Sequence, residues 1–287
     1  MFLCITPRSS TLPIVFLALA LGGCASKPEE PLLRPMPADI AAATASRIDP
    51  LLPTEVLLLG EQHDAAEHQQ IEQQVIALLA SRGTLTAVAL EMADAGVSTA
   101  KLKPSSTEQQ VKSALKWDDK GWPWAAYGPA VMTAVRAGVP VIGTNLPRSK
   151  MPASMADGQL DGRLPGPALK AQQQLIRLGH CNLLPESQIT PMTRIQVAKD
   201  ISMAATLAQA VLPGKVVVLL SGSGHADRNL GVPQHLAAGI SHKSILLRTS
   251  NNVPAESERT DAFDSVWPTP AIAEVDYCEN FKKQTGR

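Results

Sequence analysis

Two apolar runs, each closed by the pattern Gly-x-x-His, constrain the fold of this chain more than any other feature. The first covers residues 56–60 and leads to His63, and the second covers residues 216–222 and leads to His225. Runs this rich in leucine and valine are typical of strands buried on both faces of a parallel sheet. Glycine lets the chain turn sharply where a strand ends, and open α/β sheets hold their ligands beyond the carboxyl ends of strands. If the two strands are neighbours, His63 and His225 face one site.

The remaining pattern predicts an α/β fold in which a mostly parallel sheet is flanked by helices. Further strands are expected at 86–90, 139–143 and 244–248. From about 100 to 212, apart from the strand at 139–143, helical patterns and a Gly/Pro/Ser/Met-rich linker at 149–166 replace the alternation of strands and helices. We therefore expect one domain over 51–275, with a helical insertion built over the carboxyl ends of the strands, and a tail at 276–287.

The N-terminus has the features of a bacterial lipoprotein signal peptide. Arg8 precedes an apolar stretch at 12–21, and Leu-Gly-Gly-Cys at 21–24 matches a lipobox. The stretch is too short to span a bilayer comfortably. The sequence therefore predicts removal of 1–23, lipidation of Cys24, and a proline-rich tether over 24–50. Because Ala25 is not the aspartate that retains such proteins at the inner membrane, we expect attachment to the outer membrane, facing the periplasm.

Cysteine and charge counts narrow the class of protein further. With Cys4 in the signal peptide and Cys24 lipidated, Cys181 and Cys278 remain, and in an oxidising compartment we expect them to pair. A structural zinc site would need more sulfur ligands. Lysine plus arginine and aspartate plus glutamate both total 26, with no long basic run, so no nucleic-acid partner is expected.

Polar residues after other predicted strands extend the candidate site. Glu91 follows the strand at 86–90 and is either a ligand or base beside His63, or a surface or capping glutamate. Arg148 follows the strand at 139–143 and either binds a carboxylate or phosphate, or is a solvated loop residue. Asp64 is placed to cap the helix after the first strand.

A cluster of large aromatic residues lies inside the predicted insertion. Trp117, Trp122, Trp124 and Tyr127 fall within eleven positions of a chain that has four tryptophans and two tyrosines. The accompanying glycine and prolines argue against a regular element here. The cluster is either a packed corner of the core or an aromatic wall for a flat ligand.

Several common chemistries are excluded by the motifs. Gly222 and Gly224 begin like a dinucleotide fingerprint, but Asp227 stands where its third glycine belongs. Neither His-Glu-x-x-His nor the nucleophile motif Gly-x-Ser-x-Gly occurs. A crevice lined by histidine and glutamate remains, which suits a divalent metal or a metalloporphyrin.

Taken together, the motifs resemble one family over 54–267, nearly the whole mature chain. The family is the ChaN-like haem-binding lipoproteins of the Tiki/TraB/erythromycin-esterase superfamily. The matching segments, in order, are 60–64 with 68 and 70, 89–92, 124–127, 145–148, 180–181, 200 with 203–204, 222–225 and 231–233.

The resemblance implies a haem-binding outer-membrane lipoprotein that takes part in haem or iron acquisition, with an outer-membrane haem receptor as a further partner. ChaN-like proteins hold two stacked haems between two subunits, with a tyrosine on each iron, and tyrosine is an established haem ligand. Tyr127 lies in the matching segment and is the predicted ligand. The resemblance places it with His63, His225, Arg148 and Trp124 around haem. If Tyr127 packs inside, a histidine becomes the better candidate.

An alternative comes from the same superfamily, since Tiki proteins are metal-dependent peptidases. It would assign catalysis to Glu61, His63, Glu91, Arg148 and His225. A divalent metal such as Mn or Zn, held by His63, Glu91 and His225, would activate water, with a glutamate as base. A purely structural envelope lipoprotein would leave this convergence of residues unexplained.

Overall fold

The computed structural model describes residues 36–251, 260–279 and 282. The predicted signal peptide, the lipidated Cys24 and the first part of the predicted tether lie outside this range. The helices are α1 Ala38–Ile48, α2 Ala66–Ser81, α3 Glu108–Leu115, α4 Trp124–Arg136, α5 Met151–Ala156, α6 Gly166–Gly179, α7 Glu186–Ala210 and α8 Ser223–Ala226. The strands are β1 Val56–Glu61, β2 Leu85–Asp94, β3 Val141–Asn145, β4 Val216–Gly222, β5 His242–Thr249 and β6 Ser265–Thr269.

The six strands form one parallel sheet in the order β3-β2-β4-β1-β5-β6. This confirms the predicted fold class. The two strands that carry the Gly-x-x-His patterns are neighbours, with Glu61 opposite Gly222 at their carboxyl ends. β4 lies between β1 and β2, so Glu91 near the end of β2 reaches the site from the far side of β4.

Helices cover both faces of the sheet. On one face α2 and α4 pack against each other, α1 packs against α2, and the main hydrophobic core lies between these helices and the sheet. On the other face α7 packs on the strands through Met203, Ala204 and Leu207. A third apolar cluster joins the loop after β3 to α7 through Leu146, Leu160 and Val197. The predicted helical insertion therefore packs as part of the domain.

Part of the aromatic cluster lies in a regular element, contrary to the sequence prediction, whereas Trp117 and Trp122 lie in the irregular segment between α3 and α4. Trp124 and Tyr127 lie in the first turns of α4, and Pro123 stands immediately before this helix. Proline tolerates this position because it fixes φ near the helical value and the first backbone N–H groups of a helix have no partner within it. The sequence pattern predicts a helix only from 130 to 137, because Pro129 in the second turn of α4 looked like a break.

Three other segments also differ from the sequence predictions. Residues 38–48, expected in the tether, form α1, and Ile48 is buried in the core. The predicted linker at 149–166 contains α5 and a 3-10 turn at Gly158–Gly162. A sixth strand, β6, was not predicted, although Trp267 on it is buried in the main core. Among the described residues no helix is long and apolar enough to cross a membrane.

Candidate functional site

A cavity of about 640 Å³ opens beyond the carboxyl ends of β1, β4 and β5. This volume lies in the range of small-molecule sites, roughly 300–1,000 Å³. Polar side chains from the strand ends line its base, and apolar and aromatic side chains line its walls. The wall residues are Leu175, Leu246, Leu247, Phe263 and Tyr277.

The base of the cavity is built around His225, which lies between two carboxylates. Its Nδ1 is 2.5 Å from Asp200 Oδ1, and its Nε2 is 3.2 Å from Glu91 Oε1. The second oxygen of Glu91 accepts the Gly222 N–H at 2.8 Å. All three ionisable side chains are almost fully buried, so this histidine has no free edge for a ligand.

His63 forms a second histidine–carboxylate pair. Its Nδ1 is 2.8 Å from Glu61 Oε1, while its Nε2 lies 3.9 Å from Glu91 Oε2. A Cβ atom on Gly222 would lie 2.9 Å from the His63 ring, so glycine is needed here for the ring to fit. Glu91 therefore links the two pairs. We call Glu61, His63, Glu91, Asp200 and His225 the floor of the pocket.

The charges on the floor follow from burial and from the neighbouring groups. Burial alone would lower the pKa of His225, but Glu91 and Asp200 together raise it to about 10. Burial would raise the pKa of Glu91, yet the charge and hydrogen bond of His225 hold it well below its usual range. Burial raises the pKa of Asp200 to about 6. At neutral pH His225 is therefore a buried cation held between acidic side chains.

Tyr127, the predicted iron ligand, is buried and does not line the pocket in this structure. The side chain is 1% exposed, and its hydroxyl donates a 2.8 Å hydrogen bond to Glu61 Oε1. Burial and the Glu61 carboxylate raise the pKa of Tyr127 far above its ordinary value, so the phenol stays neutral. Tyr127 thus supports the floor from the core side of the sheet.

Trp124 and Arg148 are also placed elsewhere than the sequence predicted. Trp124 packs edge-on against Trp117, and its indole N–H donates to Glu108 at 3.0 Å. Arg148 lines a separate cavity of about 400 Å³ that also includes Trp122. The Trp122 and His63 rings pack edge-on with their centroids 4.9 Å apart. The aromatic cluster therefore supports His63 without forming a wall of the main pocket.

A tyrosine that the sequence placed in the tail lies at the entrance of the pocket. Tyr277 is 53% exposed, lines the cavity, and donates its hydroxyl to Asp64. Asp64 does not cap α2 as predicted, because that helix begins at Ala66 with Ala65 at its cap position. The sequence does contain a signal for this position of Tyr277. Its neighbour Cys278 is the expected partner of Cys181, and Cys181 lies in the helical insertion.

The entrance is tied together by a disulfide between Cys181 and Cys278, with an Sγ–Sγ distance of 2.13 Å. Cys181 lies in the turn that joins α6 to α7, where it and Asn182 have positive φ. On α6, Leu175 and Leu178 are 43% and 50% exposed, and Val275 is also exposed beside Tyr277. Leu175 and Tyr277 line the cavity, and together with the exposed Leu178 and Val275 near them in the chain we call them the mouth of the pocket.

The histidines and carboxylates of the floor are paired with one another in this structure. No group of three or more histidine, cysteine, aspartate or glutamate residues in the described chain is arranged to hold a metal ion. His63, Glu91 and His225, the predicted metal ligands, do converge. The Nδ1 atoms of His63 and His225 are bonded to Glu61 and Asp200, and the Nε2 atoms of both face Glu91.

Comparisons with known proteins give one family and one well-matched structure. A family model described as haem-binding uptake, Tiki superfamily, ChaN matches residues 48–236. A solved structure described as cofacial haem binding to ChaN of Campylobacter jejuni matches this chain at 27% identity and a TM-score of 0.60. The match covers 71% of this chain and 85% of that one. A Bacillus cereus protein matches at 15% identity and a TM-score of 0.35, over 78% and 72% of the two chains. No functionally curated protein matches.

Proposed function

The chain belongs to the ChaN family of haem-binding uptake proteins in the Tiki superfamily, and from this we propose that it binds haem in the pocket beyond β1, β4 and β5. The observation that carries the proposal is the composition of this pocket. Apolar walls surround it, and an exposed phenol stands at its entrance. Its volume suits a ligand of intermediate size.

Haem is a flat, largely apolar macrocycle with two propionates and a metal that needs an axial ligand. Leu175, Leu246 and Phe263 supply apolar surface for the ring. Arg248 lines the same cavity and is suited to a propionate, because guanidinium binds carboxylate with directed hydrogen bonds. The residues present therefore fit haem.

We propose Tyr277 as the axial ligand. Phenolate oxygen is a known ligand of haem iron. Of the chain's two tyrosines, Tyr277 lines the pocket and Tyr127 is buried. The Asp64 carboxylate accepts a hydrogen bond from the Tyr277 hydroxyl, so Asp64 is placed to accept the hydroxyl proton when the phenolate forms. Of the two histidines that line the pocket, His225 is bonded on both sides to Asp200 and Glu91, and His63 lies on the floor with its Nε2 3.9 Å from Glu91.

We further propose that two chains enclose two stacked haems. The support is the apolar surface at the mouth, where Leu175, Leu178 and Val275 are each more than two-fifths exposed. An open pocket rimmed by such residues leaves one face of a bound ring in water unless a second copy covers it. The Campylobacter jejuni relative, described by its cofacial haem binding, agrees with this arrangement.

The cellular part of the proposal concerns haem or iron acquisition at the outer membrane. Two observations support it, the lipobox ending in Cys24 and the description of the family as uptake proteins. An outer-membrane haem receptor would donate haem to this protein or accept haem from it. Membrane fractionation tests the anchor. The wild-type protein should sediment with outer membranes and Cys24→Ser should not, whereas equal sedimentation of both would overturn lipid anchoring.

A haemin titration of the purified protein tests the binding proposal. We expect saturable binding, a ferric spectrum with tyrosinate-to-iron charge transfer, and a haem-dependent increase in mass to that of a dimer. Leu178→Ser should bind haem with weaker dimerisation, because it removes exposed apolar surface without touching the cavity. Absence of saturable binding, together with one divalent metal per chain, would instead favour a metal-dependent hydrolase centred on His63, Glu91 and His225.

A further inference from the structure

We infer that the Cys181–Cys278 disulfide positions Tyr277 for haem binding, so that these two cysteines are positioning residues of the site. This inference rests on the proposed function. The disulfide holds the Tyr277 phenol in place over the pocket, and neither sulfur atom binds haem or reacts.

Besides the disulfide, the Tyr277 hydroxyl bonds to Asp64, and the segment that leads to Tyr277 has few hydrogen bonds to the rest of the domain. After β6 ends at Thr269, residues 271–276 form no helix or strand, and all but Ile272 are exposed. Two hydrogen bonds between Asn251 and Ile272, of 2.8 and 3.2 Å, fix its beginning. Without the disulfide, such an exposed segment is expected to open locally at little free-energy cost.

The other end of the disulfide lies on a stable part of the fold. Cys181 is in the turn between α6 and α7, where its N–H bonds to the Leu178 carbonyl and the Asn182 N–H bonds to the Arg177 carbonyl. α6 also carries Leu175, which lines the pocket. The disulfide therefore fastens the Tyr277 segment to the turn that follows α6, the helix that carries Leu175.

Local geometry transmits this attachment to the phenol. Residues 277–279 are helical, and the Glu279 N–H is bonded to the Asp276 side chain at 2.8 Å. Tyr277 and Cys278 are adjacent in the chain, so fixing the sulfur fixes the position of the tyrosine backbone. Holding a ligand group in place before binding removes the ordering cost that binding would otherwise carry.

The test is a double-mutant cycle on haemin affinity in the purified full-length protein. Cys181→Ser with Cys278→Ser removes both thiols, because a free Cys278 could itself bind iron. We expect the double serine variant to bind haemin about tenfold more weakly, with a reduced tyrosinate charge-transfer band. Adding Tyr277→Phe to this background should cost much less than Tyr277→Phe costs in the wild type, since both changes remove the same interaction.

Circular dichroism of each variant checks that it is folded. If the serine variant is unfolded, wild-type protein reduced with a phosphine and capped with iodoacetamide gives the same broken linkage and should show the same loss. Unchanged affinity and spectrum after breaking the disulfide would overturn the inference while leaving haem binding intact. Additive losses would also overturn it, and failure of the wild type to bind haemin would overturn both proposals.

Discussion

The floor and the mouth of the pocket differ in how their polar groups are held. On the floor, Asp200, His225 and Glu91 are almost completely buried and bonded to one another, and Glu61 is bonded to His63 and Tyr127. At the mouth, Tyr277 and the leucines of α6 are exposed, and the segment that carries Tyr277 is fastened by a disulfide. The two tyrosines of the chain thus lie one in each setting.

This difference indicates that the floor contributes mainly to the stability of the fold and that the mouth contributes mainly to ligand binding. Buried ionised groups destabilise a protein unless each has its partner, so floor residues are strongly coupled to folding. Exposed groups at the mouth contribute little to the free energy of folding. Their contacts with water and with one another can be replaced by contacts with a ligand. We therefore expect floor substitutions to change the free energy of unfolding most, and mouth substitutions to change haem binding most.

His225→Ala should have the largest effect on stability. It leaves Glu91 and Asp200 buried on either side of an empty position, and removing one member of a buried ion pair typically costs about 3–5 kcal/mol. Urea unfolding monitored by circular dichroism measures this loss. His63→Ala is the matched control, because the His63 side chain is 40% exposed and its loss should cost clearly less. Equal losses for the two variants would contradict the distinction between buried and exposed positions.

The pH dependence of stability should report the same ion pair. The folded-state pKa of His225 is raised from 6.5 to about 10, so its stabilising contribution is complete below pH 6.5 and is lost as the pH rises toward 10. We expect the wild-type free energy of unfolding to fall across this range, and His225→Ala to show a flatter profile. Parallel profiles for the two proteins would mean that His225 is not charged in the folded state.

Tyr127→Phe should cost about 1 kcal/mol of stability, the typical net contribution of one buried hydrogen bond. Haem affinity and the visible spectrum should stay unchanged, because Tyr127 lies under the floor and outside the cavity. Thermal unfolding and a haemin titration on the same sample measure both quantities. A changed haem spectrum would show that Tyr127 reaches the iron.

Leu178→Ser should have the smallest effect on folding, within about 0.5 kcal/mol, because half of the Leu178 side chain is already in solvent. Its expected effect is on the mass of the haem-bound protein, measured by light scattering. Ile176→Ser, on the buried side of the same helix, is the contrasting control and should destabilise the fold. Full dimerisation of Leu178→Ser with haem would remove this surface from the proposed interface.

The sequence predicted the sheet and the convergence of His63, Glu91 and His225, because strand patterns and Gly-x-x-His ends are local signals. It could not show that β4 lies between β1 and β2, since strand order depends on long-range packing. For the same reason the sequence could not show that Tyr277 lines the pocket and that Tyr127 is buried. Tyr127 lies near tryptophans in the sequence, but the helix that carries it turns its side chain into the core. Tyr277 is brought to the pocket by a disulfide between residues 97 positions apart.

Haemin titration of Tyr277→Phe beside Tyr127→Phe tests the central claim most directly. The account predicts that Tyr277→Phe loses the tyrosinate charge-transfer band and binds haemin about ten to a hundred times more weakly, while remaining as stable as the wild type. Tyr127→Phe should keep the band and the affinity. An unaltered spectrum in Tyr277→Phe, or loss of the band in Tyr127→Phe, would contradict the assignment of haem binding to the mouth of the pocket.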